Sequence, residues 1–516
     1  VRRCLVLALS CLAACGCSLL DEDGSDESEA ELEPICAQPL AASVSVEALA
    51  ADLDALDAIA RAEGGNRSAG SSGYAASADY VQAELEAAGY TVERWDFAFD
   101  RFVELSPTQV ELAGEAALED GVDFALARWS PGGEVSAVIE AVDLSLGLGN
   151  ESTSGCEAED FAGFTPGRVA LIQRGGCSFR LKAELAEAAG AVGTLIFNQG
   201  DEQARTQLHG GSLGSTNTLA APVVMLPYAR GEALAEAAAV QDTHATIIAD
   251  TGVLDTPTFN LIAETPGGDP QAEVMLGAHL DSVPAGPGIN DNGTGTALVL
   301  ELARGMAGCS PRQKVRFAWW GGEEWGLKGS QAWVEALDED ALERIALYLN
   351  FDMVASPNYV RFVHDGSNGP EGSALIYAAF LDYFAAQGLA TLPLAFEGNS
   401  DFQPFVDAGV PTGGLFTGAG GDKSVAEVEA FGGAGAAAYD SCYHQACDDR
   451  ENVDLEVFAQ NLAAAATVLE GLAGDLGELA RDGALAEVGE GSALREGTVG
   501  VEVGAHEHAG CGHPLR

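Results

Sequence analysis

Between Val274 and Asp291 the chain reads Val-Met-Leu-Gly-Ala-His-Leu-Asp-Ser-Val-Pro-Ala-Gly-Pro-Gly-Ile-Asn-Asp. The short apolar run from Val274 to Leu276, closed by Gly277, predicts a buried strand. That strand delivers His279 and Asp281 at its end, where open α/β sheets keep their ligand crevices. Asp291 follows a Gly/Pro-rich turn. An imidazole and carboxylates meeting at a strand end suit a zinc-type cation, with Asp281 two residues after His279 placed to fix the ring. A His-x-Asp pair is equally a hydrogen-bonded structural pair, so a metal site requires more ligands downstream.

The same device recurs. Thr294 to Met306, rich in Ala, Leu and Val, predicts a helix directly after Asp291, so this carboxylate lies near a helix N-terminus. Lys314 to Trp320 predicts a strand that runs into Gly-Gly-Glu323-Glu324, and Leu347-Tyr-Leu-Asn-Phe-Asp352 ends another on a carboxylate. Burial at an interior strand end raises the proton affinity of one of two adjacent glutamates unless a metal claims the other. A third strand, Val410 to Phe416, follows Gly398-Asn-Ser-Asp-Phe402. His444 sits inside the loop from Cys442 to Cys447, which holds the imidazole if the two cysteines are bridged. His279, Asp291, Glu323, Glu324, Asp352 and His444 suffice for two metal ions and a base. Two zinc ions about 3.5 to 4 Å apart share a bridging carboxylate in such sites, and a free carboxylate beside them takes the proton of the attacking water.

Ahead of this region, Leu49, Leu53, Leu56 and Ile59 recur at helical spacing from about Val44, and Ala75 to Ala88, closed by Gly89, predicts a second helix. Tyr90 to Trp95 alternates as an edge strand. From about Thr108 to Asp250 the runs are short: strands at Val169 to Ile172, Val192 to Phe197 and Val223 to Leu226, and a helix at Leu181 to Ala189. The segment Gly167-Arg-Val-Ala-Leu-Ile-Gln-Arg-Gly-Gly-Cys-Ser-Phe179, with Lys182 and Ala191-Val-Gly-Thr-Leu-Ile-Phe-Asn198, resembles the protease-associated (PA) domain, a small β-rich module inserted into peptidases and sorting receptors. The resemblance implies substrate gating or protein contact, and an inert structural insert fits it equally.

The N-terminus is a targeting segment. Arg2 and Arg3 precede an apolar run, and Leu12-Ala13-Ala14-Cys15 resembles a bacterial lipobox, with Cys15 lipidated and residues 1–14 removed. An ordinary cleaved signal peptide is the other reading. The apolar stretch falls short of the roughly 20 residues that a bilayer requires. Acidic residues crowd Asp21 to Glu33, a self-repelling tether between a membrane anchor and a folded body. The formal charge of −54 excludes a nucleic-acid surface, which needs basic patches. In an oxidising compartment Cys156 with Cys177, and Cys442 with Cys447, are disulfides, whereas Cys17, Cys36, Cys309 and Cys511 stay unassigned. His209, His244 and His364 lack ligand partners at useful spacing and read as surface or core residues. His506, Glu507, His508, Cys511 and His513 lie in a Gly-rich tail that predicts disorder rather than a metal site.

Taken together, Gly-Ala-His279-Leu-Asp281-Ser-Val, Gly-Ile-Asn-Asp291-Asn-Gly, Gly-Gly-Glu323-Glu324-Trp-Gly-Leu-Lys-Gly-Ser, Asn-Phe-Asp352-Met and Cys-Tyr443-His444-Gln-Ala-Cys resemble the secreted bacterial dizinc aminopeptidases of the Streptomyces-type leucyl family. The resemblance implies an α/β fold, a central mixed sheet flanked by helices, with the PA domain inserted. It implies residues 1–14 as signal peptide, 15–38 as lipidated cysteine and tether, 39–110 and 253–475 as the peptidase, 111–252 as the insert and 476–516 as a flexible tail. Position by position, it places one zinc on His279, Asp291 and Asp352 and the other on Asp291, Glu324 and His444. Glu323 becomes the general base, Asp281 the partner of His279, and Tyr443 a hydroxyl donor to the developing oxyanion. It further implies a peptide substrate whose free amino terminus is held by Glu323 and Asp352, with an apolar first residue. Family members often carry Arg where this chain has Asn399, so a cation near the substrate pocket is missing. Two alternatives remain open: a carboxypeptidase or dipeptidase on the same scaffold, and a binding lipoprotein that has lost its metals.

Overall fold

A computed structural model describes residues 33–112 and 118–477. Its strands are β1 (Val92–Leu112), β2 (Ala125–Leu126), β3 (Gly133–Ala141), β4 (Val169–Gln173), β5 (Gly193–Phe197), β6 (Val223–Leu226) and β7 (His244–Glu264). They continue with β8 (Asp269–His279), β9 (Gln313–Trp320), β10 (Ile345–Phe351), β11 (Phe362–His364), β12 (Leu392–Leu394) and β13 (Thr412–Phe416).

The order β12-β11-β13-β10-β8-β9-β7 forms the main sheet. Its middle strands, β13, β10, β8 and β9, run parallel, whereas β7 and β11 join antiparallel, so the sheet is mixed. Because parallel strands are covered on both faces, β8 and β10 read as almost unbroken apolar runs. Side chains alternate between two cores with the period of a strand. Val274, Leu276, Val315, Phe317, Trp319, Leu347 and Leu349 face one, shared with Leu49, Leu53 and Leu56 of the helix Val46–Ala62 and Val81 and Leu85 of the helix Ser72–Ala87. Met275, Ala318, Trp320 and Tyr348 face the other, against Trp333 and Phe405.

Strand β8 continues past Gly277 to His279, because its ladder with β9 holds as far as His279 opposite Trp320. Strand β13 starts at Thr412 rather than Val410, since Pro411 has no N–H for the ladder and contributes only its carbonyl, to Tyr348. The closing helix runs Leu455–Gly474, two residues later than the pattern predicts, because the Asp454 side chain caps it through the amides of Glu456 and Val457. A disulfide from Cys36 to Cys309 ties the N-terminal segment to the chain just beyond the helix Thr294–Met306.

Strands β1 and β7, 21 residues each, pair antiparallel from Val92 opposite Ala263 to Leu112 opposite Ala245. One end of this ribbon belongs to the main sheet through β9, and the other end carries β3, with β4, β5, β6 and β2 beyond it. The module between the two long strands has its own apolar clusters, around Leu171, Leu195 and Val224 on one face and Ile172, Ile196 and Met225 on the other. Strands β3 to β6 are mutually parallel and therefore need crossovers; the helix Phe179–Ala188 supplies the one from β4 to β5, and the helix Tyr228–Ala238 leads from β6 to β7. The Cys156–Cys177 disulfide closes a loop of this module. Cys15, Cys17 and residues 1–32 and 478–516, including Cys511 and the tail histidines, lie outside the described residues. No described helix is long and apolar enough to cross a membrane.

Candidate metal centre

Parallel pairing places the C-terminal ends of β8, β9 and β10 side by side, and the side chains expected from the sequence converge there. Asp291 lies between two imidazoles: its Oδ1 is 3.2 Å from His279 Nε2 and its Oδ2 is 3.1 Å from His444 Nε2. Asp352 Oδ1 is 3.5 Å from His279 Nε2, Glu324 Oε2 is 3.0 Å from His444 Nε2, and Glu323 Oε2 is 3.9 Å from His279 Nε2. His279, Asp291 and Glu324 each offer a ligand atom within 4.8 Å of one another. The side chains of Glu323, Asp352 and His444 keep 12%, 12% and 14% exposure against 1% and 3% for His279 and Glu324, so the cluster opens on the side of the first three.

Local structure fixes these side chains. His279 Nδ1 is 3.0 Å from the Asp281 carbonyl, which only accepts, so Nδ1 carries the hydrogen and the Nε2 lone pair faces the cluster. The ring is thus held by the main chain of Asp281, whose carboxylate is farther away at 3.8 Å and accepts from the Glu323 amide at 3.2 Å. Asp448 accepts from the amides of Asn290 and Asp291 at 2.8 and 3.0 Å, joining the Asp291 turn to the His444 loop. His444 has φ of +58° within the loop closed by the Cys442–Cys447 disulfide, and the ring of Tyr443 stacks on its imidazole at 3.8 Å. A non-glycine residue in this left-handed region persists only where its surroundings over-determine it.

Arg67 has no sequence motif of its own here. It is fully buried, and its guanidinium donates to the carbonyls of Leu280, Pro287 and Gly288, spanning the turn between His279 and Asp291. Its signal was faint: an arginine in the Gly/Asn loop between two amphipathic helices, in a chain with 25 basic residues. Ser400 and Asp448 belong to segments singled out in the sequence, though nothing in the pattern assigned them a role.

The electrostatics follow from burial of many carboxylates together. Burial pushes Asp281 and Asp401 up to about 7 and Glu323 well above the usual carboxylate range. For Asp291, burial acts upward, but hydrogen bonds from His279 and His444 prevail and hold it below that range. Burial pulls His444 down, yet Glu324 and Asp291 outweigh it and raise the imidazole to about 11; Asp352 and Glu323 raise His279 in the same way. The cluster therefore demands positive charge at two points.

Residues with these spacings fit two zinc-type ions. Zinc with bonds of about 2.0 to 2.1 Å to nitrogen and oxygen sets neighbouring tetrahedral ligands about 3.3 Å apart. The four ligand separations above, 3.0 to 3.5 Å, match that edge. Glu324 Oε1 and Asp352 Oδ1 are buried without a hydrogen-bond partner, which such ions would supply. The other histidines stand apart: His244 is exposed, His209 stacks on Phe179, and His364 is buried against Phe396.

Comparison with known proteins gives two family matches and a set of relatives. Residues 260–469 match Peptidase family M28, and residues 139–234 match the PA domain. A Pseudomonas aeruginosa protein named "Aminopeptidase" is 43% identical over 422 residues, 80% of this chain and 78% of the relative. A Mycobacterium tuberculosis protein named "Probable lipoprotein aminopeptidase LpqL" is 38% identical over 448 residues, 84% of this chain and 86% of the relative. The structure of BSAP, a zinc aminopeptidase from Bacillus subtilis, superimposes with a TM-score of 0.60 at 25% identity, covering 83% of this chain and 95% of that one.

Proposed function

The chain belongs to peptidase family M28, and from that premise we propose that it is a dizinc aminopeptidase that removes amino-terminal residues from peptides. The observation that supports this most directly is the Asp291 carboxylate, with one oxygen 3.2 Å from His279 Nε2 and the other 3.1 Å from His444 Nε2. A carboxylate shared between two imidazole nitrogens is the arrangement that two adjacent ions require. His279, Asp291 and Asp352 would hold one zinc, and Asp291, Glu324 and His444 would hold the other. When bound, the ions supply Lewis acidity to the scissile carbonyl and to the attacking water.

The remaining steps belong to the chain. Glu323 accepts the proton of the attacking water and passes it to the leaving amine; its carboxylate lies 3.9 Å from His279 Nε2, beside the proposed ligands and outside both sets. Asp281 keeps Glu323 in place by accepting from its backbone amide. Tyr443 donates its hydroxyl to the oxygen that gains charge. Glu323 and Asp352 hold the ammonium of the substrate, which restricts attack to the first peptide bond, and an apolar first residue follows from the family resemblance. Residues 39–110 and 253–475 form the peptidase and 111–252 the PA insert. Three disulfides and the lipoprotein relative support an exported enzyme, anchored through a lipid on Cys15.

The test compares leucyl-anilide with an amino-blocked dipeptide bearing a free carboxylate, alongside zinc content. Cleavage of the anilide alone, with two zinc per chain, is expected. Cleavage of the blocked dipeptide alone would overturn the aminopeptidase in favour of a carboxypeptidase, and a zinc-free active protein would overturn the metal site.

A further inference from the structure

Two guanidiniums lie over one indole beside the proposed base, and Lys328 follows that indole by three residues. Trp325 directly follows Glu323 and Glu324 and is buried with Phe99 and Ala69. The guanidinium of Arg101 lies 5.4 Å from the Trp325 ring centre and that of Arg128 lies 5.8 Å from it. Arg128 Nη2 also donates to the Trp325 carbonyl at 3.3 Å. Lys328 begins the helix Lys328–Ala336; burial and then the charge of Arg128 depress its proton affinity, while Asp100 and Glu335 act the other way.

The three come from different parts of the chain. Arg101 lies on β1, Lys328 on the peptidase, and Arg128 follows β2 in the insert, where its backbone bonds to Gly211 and Leu213. Their side chains lack the carboxylate contacts that other half-buried cations have. Arg304 is held by Asp52, Glu84 and Glu301, and Arg316 by Glu264 and Glu273. Among the described residues, no carboxylate forms an ion pair with Arg101, Arg128 or Lys328, and Arg101 Nε is buried without a hydrogen-bond partner. In a chain with 79 acidic against 25 basic residues, three adjoining cations without ion pairs are not a product of composition. Partly desolvated and unpaired, they carry a cost that a bound anion offsets.

The hydrogen bond from Arg128 to the carbonyl of Trp325, the residue after Glu324, places this guanidinium beside the catalytic cluster. A peptide whose ammonium is held by carboxylates has one other obligatory charge, its terminal carboxylate. In di- and tripeptides that group lies within about 11 Å of the amino end, at about 3.3 to 3.6 Å per residue.

We propose that Arg101, Arg128 and Lys328 form a subsite for a carboxylate on the leaving-group side of the peptide, so that the insert contributes Arg128 to substrate recognition. The identity of the substrate rests on the aminopeptidase assignment; the anion site does not. The zinc-loaded Glu323→Ala protein, which loses turnover and keeps Asp352 for the ammonium, is titrated calorimetrically with Leu-Gly-Gly, Leu-Gly-Gly-amide and Leu-Asp-amide, whose shared amino end makes any loss at Glu323 common to all three. The free acid should bind about tenfold more tightly than the amide, the scale of one or two charge-assisted hydrogen bonds. Added Arg128→Gln should shrink the ratio to about twofold or less, Arg128→Lys should keep part of it, and Lys328→Gln should lower it without touching the insert. A preference for Leu-Gly-Gly over Leu-Asp-amide assigns the site to the terminal carboxylate, and the reverse assigns it to an acidic side chain. Equal binding of acid and amide, or a preference that survives both Arg128→Gln and Lys328→Gln, overturns the subsite. A carboxylate preference in a protein that cleaves no leucyl substrate would leave the subsite standing and remove the aminopeptidase assignment instead.

Discussion

Ser400 Oγ donates to Asp352 Oδ2 at 2.5 Å, which leaves Oδ1 as the oxygen turned toward His279 Nε2. The serine is itself held: Asn350 Nδ2 donates to Ser400 Oγ, Tyr348 to Asn350 Oδ1, and Trp320 Nε1 to the Tyr348 hydroxyl. A proposed metal ligand is thus oriented from within the aromatic core on the far face of the sheet. Ser400→Ala should weaken zinc binding about ten- to a hundredfold, as loss of a partner behind a ligand commonly does, with little change in fold. Chelator competition measures this, and an unchanged zinc affinity would discard the orienting role.

Glu323 approaches His279 Nε2 no nearer than 3.9 Å and has no place in either proposed ligand set. Glu323→Ala should therefore lower turnover of leucyl-anilide at least about a hundredfold while zinc content stays at the parent level. Loss of zinc in step with activity would make Glu323 a ligand rather than the base.

The Cys442–Cys447 bridge closes a five-residue separation around His444, whose backbone is left-handed. Replacing both cysteines by serine releases that constraint on one ligand of the second ion alone. Zinc content should fall from about two toward about one per chain, a distinction between open and closed coordination sets. Retention of both ions with full activity would show that the loop needs no bridge.

His364 tests the core rather than the site. Burial against Phe396 lowers its imidazole from 6.5 to about 4, and its Nδ1 has no hydrogen-bond partner. Because the unfolded chain binds the proton between pH 6.5 and about 4 and the folded chain does not, stability is lost as pH falls through that window. The contribution at stake is on the order of 3 kcal/mol. His364→Phe should flatten the dependence of melting temperature on pH between 6.5 and 4, and an unaltered slope would assign acid sensitivity elsewhere.

The convergence of these side chains was legible because each sits at a local boundary: His279, Glu323, Glu324 and Asp352 follow apolar runs, and His444 lies in a short cysteine loop. Such boundaries leave a trace within ten residues. Arg67, Ser400 and Asp448 left none, since they act through hydrogen bonds to segments 213, 48 and 157 positions away. The Cys36–Cys309 pairing, 273 residues apart, was hidden for the same reason. Spacing alone also did not distinguish the carbonyl of Asp281 from its carboxylate as the group that holds His279. The helix Phe179–Ala188 was legible at Leu181 to Ala189, but the parallel order of β3 to β6 depends on pairings that short runs do not encode.

The ribbon of β1 and β7 has a practical consequence. Its two strands leave the main sheet side by side, with Phe99 opposite Thr256 and Asp100 opposite Asp255. A deletion engineered there, resealed by a tight hairpin, spares the ladder that β7 shares with β9. The same cut removes Arg101 and Arg128 together, so a trimmed enzyme would be a tool for asking which peptides depend on the missing module.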